Sequence, residues 1–240
     1  MEHTTNHILL RGTLARLPQF SHENHAKRFY SFELEVERLS GAVDLLPILA
    51  SEQVLMEMDL TGGDMLEISG QIRTFNDRAS TERKLVVSVY AESLTACDGD
   101  ACNTVALTGT ICKVPVFRHT PLGRQICDVM LAVNRPYHRA DYIPCIFWGQ
   151  TARQVGCCPV GTCLSLEGRM QSREYIKLLG QEQLTKTAYE VSIGSMQLVK
   201  EDGQTEEIPV DNQEVEVEVS NNEVVETVVE NIENVENQEI

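Results

Sequence analysis

The stretch Asn6-His-Ile-Leu-Leu-Arg-Gly-Thr-Leu-Ala-Arg-Leu-Pro-Gln-Phe-Ser-His22 occurs twice in the chain, the second time as Asn103-Thr-Val-Ala-Leu-Thr-Gly-Thr-Ile-Cys-Lys-Val-Pro-Val-Phe-Arg-His119. Asn, Leu, Gly, Thr, Pro, Phe and His coincide at a constant offset of 97 residues. Self-similarity at a fixed spacing is the sequence signature of a repeated structural unit. The 240 residues are therefore predicted to contain two copies of one domain.

The repeat continues to residue 198, with one residue inserted in the second copy before Gly161 and a longer insertion between Gly168 and Ser192. Asp44 matches Asp141, and Pro47 matches Pro144. The longer matching segments are 32–38 with 129–135, 63–70 with 161–168, and 88–94 with 192–198. The boundaries that follow are a first domain at 1–96, a linker at 97–102, a second domain at 103–200 and a tail at 201–240.

The pattern of apolar residues within each copy predicts β-strands. Val129, Leu131 and Val133 alternate with other residues, which is typical of half-buried strands. A helical stretch, 51–58 or 150–155, falls between the third and fourth predicted strands. Five short strands with one helix in that place is the order of an OB fold, a small barrel that commonly binds oligonucleotides. The sequence therefore predicts an all-β chain of two tandem five-stranded OB-fold barrels, each with one short helix, followed by a disordered acidic tail.

The formal charge of −16 is concentrated in the tail. Residues 201–240 hold 14 acidic residues and no Lys or Arg. Residues 1–102 carry a charge of −7, whereas residues 103–200 carry +5. Since like charges repel, the acidic regions are poor partners for a polyanion. The charge distribution therefore permits a polyanionic ligand for the second copy only.

Other features of the composition favour a cytoplasmic, non-enzymatic protein. No apolar run approaches the ~20 residues that cross a bilayer, and the N-terminal residues lack the pattern of a signal peptide. The eight cysteines lie between Cys97 and Cys163 without the spacing of a secreted disulfide framework, so reduced thiols are expected. A zinc site built from Cys97, Cys102 and the cysteines of 157–163 is the less favoured alternative, because structural zinc ligands are usually closely paired. No nucleophile, acid–base pair or phosphate-binding glycine loop stands out, so neither catalysis nor a cofactor is predicted.

Residues 103–199 resemble a bacterial single-stranded DNA-binding protein over the whole predicted barrel. Each motif is weak by itself, but six of them occur in the family's order. The first copy resembles the family only through the second. The matching motifs are Asn103-Thr-Val-Ala-Leu-Thr-Gly109, Thr120-Pro-Leu-Gly123, Leu131-Ala-Val-Asn-Arg135, Asp141-Tyr-Ile-Pro-Cys-Ile-Phe-Trp-Gly149, Gly168-Arg-Met-Gln-Ser-Arg-Glu-Tyr175 and Tyr189-Glu-Val-Ser192.

The resemblance implies an aromatic and basic binding surface in the second copy. In such proteins the bases stack on aromatic rings, at about 1–3 kcal/mol per base, while Arg and Lys follow the phosphates. Three of the four aromatic positions are Tyr where the family often has Trp, so the rings offer a smaller face. The implied stacking residues are Tyr137, Tyr142, Trp148 and Tyr175. The implied basic contacts are Arg118, Arg124, Arg135, Arg139, Arg169, Arg173 and Lys177.

Aromatic residues in a small barrel more often pack in the core than contact a ligand. Strand alternation puts Phe147 on the same face as Cys145 and puts Trp148 on the opposite face. Phe147 is therefore predicted to be a core residue, and Trp148 is predicted to face the ligand. Tyr137 lies in a polar loop and is predicted to be exposed.

The first copy is predicted to be a degenerate copy that serves as a scaffold for assembly. It is acidic and lacks the aromatic platform, although Phe75 lies near several basic residues in one hairpin. Its residues at the four stacking positions are Ser40, Leu45, Ser51 and Asp77.

The resemblance also implies an assembly, since family members with two such domains per chain are dimers. The expected assembly is a homodimer. Neighbouring domains in the family pair through their N-terminal strands, which contain Ile8 and Leu10 in the first copy and Val105 and Leu107 in the second. Pairing of the two copies within one chain would give a unit that imitates the family dimer.

The tail is a possible contact for replication and repair proteins. In the family an acidic disordered tail ends in an apolar tip that docks on such proteins, whereas this sequence ends in Glu236-Asn-Gln-Glu-Ile240. The similar segment Glu206-Glu-Ile-Pro-Val210 is internal. Apolar residues from Val225 to Val235 are spaced for one helical face, which would allow folding on a partner, but solvated disorder is the favoured interpretation.

The predicted function is sequence-independent binding and protection of single-stranded DNA in replication, recombination or repair. The alternative is an OB-fold adaptor that binds replication proteins and has little affinity for nucleic acid. The acidic first copy and the acidic tail are the features that favour this alternative.

Overall fold

The structure is a computed structural model that describes residues 6–56, 58–77, 84–179, 182–200 and 204–206. It consists mostly of β-strands. The first repeat contains β1 (Asn6–Asn24), β2 (Lys27–Glu37), β3 (Val43–Ser51), α1 (Glu52–Leu55), β4 (Met65–Asp77) and β5 (Lys84–Ala96). The second contains β6 (Cys102–Ile111), β7 (Val116–His119), β8 (Gln125–Arg135), β9 (Arg139–Trp148), α2 (Gly149–Gly156), β10 (Cys163–Leu179) and β11 (Glu182–Val199).

The strands of the first repeat pair in a closed ring. β1 pairs with β2, β2 with β3, and β3 in parallel with β5. β5 then pairs with β4, and β4 returns to β1. A closed five-stranded barrel with a short helix between its third and fourth strands is consistent with an OB fold.

The strands of the second repeat pair in the same cyclic order. β6 pairs with β8, β8 with β9, β9 in parallel with β11, β11 with β10, and β10 with β6. β7 is an extra short strand along β8. In the first repeat a single strand, β1, covers the residues equivalent to both β6 and β7. Register shifts between Leu14 and Gln19 mark the bulges that bend this strand. The predicted helices are present, although α1 is only four residues long.

The core of each repeat is formed by alternate strand residues, as the sequence pattern predicts. In β9, Ile143, Cys145 and Phe147 are buried, and Phe147 has no exposed surface. Trp148 is 37% exposed. The predicted division between a core Phe147 and an outward Trp148 is therefore confirmed.

Two repeat-equivalent glycines allow the strands to approach closely. A Cβ atom at Gly12 would lie 2.2 Å from the carbonyl oxygen of Glu35. At Gly109 it would lie 2.6 Å from the carbonyl oxygen of Ala132. Both distances are far inside a van der Waals contact, so these positions require glycine. This requirement explains why the glycine recurs in both copies.

The two repeats join through their first strands. β1 and β6 pair antiparallel, with Ile8 opposite Val105 and Leu10 opposite Asn103. Ile8, Leu10 and Val105 are buried. Pairing of the N-terminal strands, one of the arrangements expected from the sequence, is thus found within the chain.

A buried carboxylate from the first repeat strengthens this junction. Asp44 has no exposed surface and accepts hydrogen bonds from the backbone N–H and hydroxyl of Ser172, at 2.7 and 3.0 Å. Arg38 donates to both oxygens of Asp44, at 2.5 and 2.6 Å, and also to the carbonyl oxygen of Ser172 at 3.1 Å. Asp44 therefore links β3 of the first repeat to β10 of the second.

The equivalent carboxylate of the second repeat makes the corresponding contact with the first repeat. Asp141 is also fully buried and accepts a hydrogen bond from the backbone N–H of Thr74 at 2.6 Å. Arg135 donates to both oxygens of Asp141 and to the carbonyl oxygen of Thr74. The two matched aspartates thus form a pseudo-twofold pair of contacts across the junction.

The strand pairing corrects one segment of the repeat alignment. Gly70 lies opposite Ala91, and the equivalent Gly168 lies opposite Ile193. Tyr90 therefore corresponds to Ser192, and the sequence match of 88–94 with 192–198 was wrong by two residues. The cause is that a two-residue shift leaves the in–out alternation of a strand unchanged, so the pattern cannot detect it.

Two residues of the predicted tail form a short strand. Thr205 and Glu206 form β12, which pairs with the end of β11, and Glu206 lies 2.6 Å from Lys200. The prediction of disorder was therefore wrong for these two residues, because they gain backbone hydrogen bonds at a strand edge. Residues 201–203 and 207–240 of the predicted tail lie outside the described residues. Within the described part of the chain, no helix is long and apolar enough to span a membrane.

Replacing Asp44 with Ala should lower the free energy of unfolding by about 3–5 kcal/mol, because Arg38 would be left as an uncompensated, partly buried charge. Asp98→Ala, at an exposed site, should change it by less than about 0.5 kcal/mol. Urea unfolding at pH 7, followed by circular dichroism, measures both.

The effect of Asp44→Ala on the free energy of unfolding should depend on pH. Burial raises the pKa of Asp44, but hydrogen bonds from Arg38 and Ser172 outweigh burial and hold the pKa below its ordinary value. A lowered folded-state pKa stabilises the protein above the unfolded pKa of about 3.9, and this stabilisation is lost as the pH falls through the folded pKa. The difference in stability between wild type and Asp44→Ala should therefore shrink below about pH 4. A difference that stayed constant in acid would contradict the ion pair.

Candidate nucleic-acid interface

The outward side of β9 carries two of the predicted stacking residues. Tyr142 and Trp148 are 38% and 37% exposed, and they alternate with the buried core residues of the strand. Pro144 and Ile146 lie between them on the same side. Six residues of β-strand span roughly 20 Å, so the two rings mark the ends of a long strip.

This side continues across two neighbouring strands. In β11, Ser192 lies beside Ile146, and in β10, Arg169 lies opposite Ser192. Paired residues share a face of a sheet, and every second residue of a strand does so too. We call this surface the outer face of the second repeat. Its residues are Tyr142, Pro144, Ile146, Trp148, Arg169, Gln171, Arg173, Tyr175, Glu190 and Ser192.

Trp148 is held in place by a hydrogen bond. Its Nε1–H donates to the hydroxyl oxygen of Ser192 at 3.0 Å, which satisfies the only polar group of the indole. The fixed, half-exposed ring can offer its apolar surface to a ligand. Sequence reasoning missed this role of Ser192, because β9 and β11 are distant in the chain and only their parallel pairing brings Ser192 close to Trp148.

Tyr137 lies at the tip of the hairpin between β8 and β9 and is 92% exposed. Tyr137 and His138 have φ angles of 66° and 54°, in the left-handed region that bulky side chains rarely adopt. The predicted exposure of Tyr137 is therefore confirmed. His25 and Ala26, in the hairpin between β1 and β2, also have positive φ angles, so this conformation belongs to the tight turn.

The remaining two rings have neighbours of different kinds. The backbone N–H of Tyr142 donates to the hydroxyl of Thr74 at 2.8 Å, so the repeat junction positions Tyr142 directly. Tyr175 is half-buried, and the guanidinium carbon of Arg173 lies 5.9 Å from its ring centroid. This distance is within the range of a cation–π contact.

Four of the seven predicted basic contacts lie next to carboxylates. Arg135 is engaged with Asp141 at the junction, as described above. Arg118 donates to Asp128 at 2.6 and 3.2 Å, on the pair of strands β7 and β8. The nearest nitrogen of Arg169 lies 3.7 Å from a carboxylate oxygen of Asp44, and that of Arg173 lies 3.6 Å from one of Glu190.

The other three predicted cations differ in exposure. Arg124 and Arg139 are exposed, and within the described residues neither has a carboxylate at ion-pair distance. The side chain of Lys177 lies outside the described part of the structure. The outer face is therefore less positive than the count of Arg and Lys residues predicts.

Lys113 is a basic residue that sequence reasoning left out. Its amino group is buried without a hydrogen-bond partner among the described residues, and burial lowers its pKa. In the first repeat the equivalent Arg16 lies 3.3 Å from Glu33. The residue equivalent to Glu33 is Met130, so the second repeat lacks the matching acid. This difference between the copies is the signal that would have revealed Lys113.

The eight cysteines are free thiols. Burial raises the pKa of Cys127 to about 12, and it also raises the pKa of Cys145. Among the described residues, no three His, Cys, Asp or Glu side chains lie in a group that could hold a metal ion.

The second repeat combines rings on one side of a sheet with exposed cations at its edges, Arg124 in the turn before β8 and Arg139 at the start of β9. Such a surface is suited to unstacked bases and a phosphate backbone. Residues 102–199 match the model of the single-strand binding protein family. The second repeat belongs to this family.

Curated relatives support the same assignment. Single-stranded DNA-binding protein 3 of Listeria innocua is 36% identical over 80 residues, which are 30% of this chain and 50% of the relative. Single-stranded DNA-binding protein A of Bacillus subtilis is 35% identical over 86 residues, 33% of this chain and 50% of the relative. The single-stranded DNA-binding protein of Oceanobacillus iheyensis is 31% identical over 108 residues, 42% of this chain and 65% of the relative. The chain spans about half the length of the first of these relatives.

The likeness to a solved structure extends over both repeats. A deletion mutant of the single-stranded DNA binding protein from Thermus aquaticus superposes with a TM-score of 0.65 at 21% identity, covering 88% of this chain and 98% of that one. The wild-type protein from the same organism superposes with a TM-score of 0.65 at 20% identity, covering 80% and 91%. These matches show that the fold is shared.

Proposed function

We propose that the chain binds single-stranded DNA without sequence preference and protects it during replication, recombination or repair. The observation that carries this proposal is the outer face of the second repeat, where Trp148, Tyr142 and Tyr175 occupy one side of the sheet. Bases stack on such rings irrespective of sequence, because every base has a π-face. The relatives matched by the second repeat are named for the same ligand.

Within this surface, we propose different roles for the basic residues. Exposed Arg124 and Arg139, together with Lys177, contact the phosphates. Arg135 is engaged with buried Asp141 and therefore holds the repeat junction, which in turn positions Tyr142. The other paired arginines of the predicted set, Arg118, Arg169 and Arg173, fix the outer face and its border.

We propose two tandem OB-fold domains, at residues 1–96 and 103–200, joined by the linker 97–102. The second domain supplies the main contacts with DNA, and the first completes the junction. We further propose that the chain acts by binding alone, without catalysis, metal or cofactor, and that it works in the cytoplasm with its DNA. A protein adaptor with little affinity for nucleic acid is not favoured, since the matched relatives are single-stranded DNA-binding proteins.

Trp148 fluorescence should be quenched by oligo-dT, because a base stacked on the indole opens a path for relaxation. Trp148→Ala and Tyr137→Ala should each weaken binding by on the order of 1–3 kcal/mol, measured by fluorescence anisotropy of a labelled oligonucleotide. Ser51→Ala, at the position equivalent to Trp148, is the control and should leave the affinity unchanged. Saturated binding with unaltered tryptophan emission would contradict the stacking role of Trp148.

The acidic tail should weaken binding by competing for the basic surface. Residues 207–240 carry 11 acidic side chains and no basic ones, and tethering gives them a high effective concentration. Deleting 207–240 keeps β12 and should tighten binding to oligo-dT at low salt, with little effect at high salt, where charges are screened. A deletion that weakened binding at low salt would show instead that the tail takes part in binding or in the docking of replication and repair proteins.

We propose that the chain is a homodimer with four OB-fold domains. The first strands of the two repeats already pair with each other, so a second chain must bind at another surface. Light scattering at micromolar concentration should give about twice the chain mass of 26.9 kDa. A mass near that of one chain would refute the dimer.

A further inference from the structure

The position of Trp148 in the second repeat and that of Ser51 in the first are structurally equivalent. Each residue is the last of its strand and the N-cap of the short helix that follows. Ser51 has no ring, and for this reason the first repeat was predicted to lack a stacking platform. The structure shows that aromatic rings lie around Ser51 on the neighbouring strands.

The first of these rings is Phe29. It lies directly opposite Ser51 across the β2–β3 pair, just as Ile126 lies opposite Trp148 across β8–β9. An aromatic residue and a smaller one have thus exchanged strands between the two repeats. Phe29 is half-buried, so part of its ring is accessible.

The second ring is Tyr90, which the corrected register makes equivalent to Ser192, the hydrogen-bond partner of Trp148. Tyr90 lies next to Leu49 in the parallel β3–β5 pair, on the outward side of the barrel. The centroids of Phe29 and Tyr90 are 6.4 Å apart, with their planes at 49°. The small side chain of Ser51 leaves room for the two rings to approach.

A third ring and a cation extend this cluster. His22 stacks on Phe29, with centroids 5.0 Å apart and planes at 15°, and is exposed. Lys27 is exposed and lies two residues before Phe29, on the same side of β2. Rings with a neighbouring flexible cation are the pair of features that a base and its phosphate require.

We propose that Phe29, Tyr90 and His22 form a second base-stacking site for single-stranded DNA, on the first repeat, at the place where the second repeat has Trp148. This inference rests on the proposed function of the chain. The first repeat has then lost the aromatic residue at the equivalent sequence position but retains a platform at the equivalent place in the barrel. Its ring arrangement differs, so the two repeats hold the strand unequally.

The test uses the full chain with the double substitution Phe29→Leu and Tyr90→Leu, which keeps apolar side chains but removes the rings. Its affinity for a thirty-five-nucleotide oligo-dT should fall at least fivefold. Quenching of Trp148 at saturation should persist, because the second repeat is intact. Phe32→Leu is the matched control, since Phe32 lies on the same strand but is buried in the core, and it should not alter the affinity.

Photocrosslinking gives an independent measurement on the wild-type chain. Oligo-dT containing 5-iododeoxyuridine should crosslink to peptides that contain Phe29 or Tyr90, as well as to the peptide that contains Trp148. If the wild type binds and Trp148 is quenched, but the double variant binds equally well and no crosslink maps to the first repeat, this inference alone is refuted. If the wild type does not bind oligo-dT, the proposed function fails, and the inference with it.

Discussion

The arrangement of the two repeats depends on two buried carboxylates at their junction. Asp44 and Asp141 have no exposed surface, and each pairs with an arginine of its own repeat and accepts a backbone hydrogen bond from the other. Each also has an arginine of the other repeat nearby, Arg169 for Asp44 and Arg73 for Asp141. A buried charge is costly unless it is paired and hydrogen-bonded, so neither carboxylate is satisfied by one repeat alone. This constraint helps to fix the relative position of the two repeats, together with the β1–β6 pairing.

The outer face depends on that constraint. The hydroxyl of Thr74 accepts a hydrogen bond from the N–H of Tyr142, and its own backbone N–H reaches Asp141. Arg169 is paired with Ser192 on the neighbouring strand, and its guanidinium lies near the carboxylate of Asp44 in the other repeat. A loss of the junction would therefore move ring and cation positions in the second repeat without changing any residue that faces the ligand. In the proposed binding mode, the first repeat would therefore contribute by holding the residues of the second in place.

The two repeats both have apolar residues at inward positions and the same Asp–Arg pair at the junction, and they differ on their outward sides. Glycines at equivalent positions allow the strands to approach, and the buried aspartates and their arginines recur at the same offset. Outward positions face less packing, so substitutions there cost little stability. The second repeat has Trp148 and Ile126 where the first has Ser51 and Phe29. The aromatic residue of this pair therefore lies on neighbouring strands in the two repeats.

Nearby carboxylates offset part of the positive charge of the second repeat. Sequence counting gives residues 103–200 a charge of +5, but several of the arginines face carboxylates across the junction or on neighbouring strands. A paired guanidinium still donates hydrogen bonds, but its charge is largely offset. Stacking therefore accounts for more of the proposed recognition, and phosphate contacts for less, than the composition indicates.

The sequence by itself determined the repeat, the strand order, the helix position and the orientation of Phe147 and Trp148. The repeat is a constant offset that can be seen in the sequence directly, and period-two alternation depends only on residues close together in the chain. It also led to the family of the second repeat. Only the tertiary structure decided that Arg135 holds the junction, that Ser192 fixes Trp148, and that Phe29 and Tyr90 meet beside Ser51. These contacts join strands that are distant in sequence, and the register between such strands is invisible to alternation, since a shift of two residues leaves every side chain on the same face.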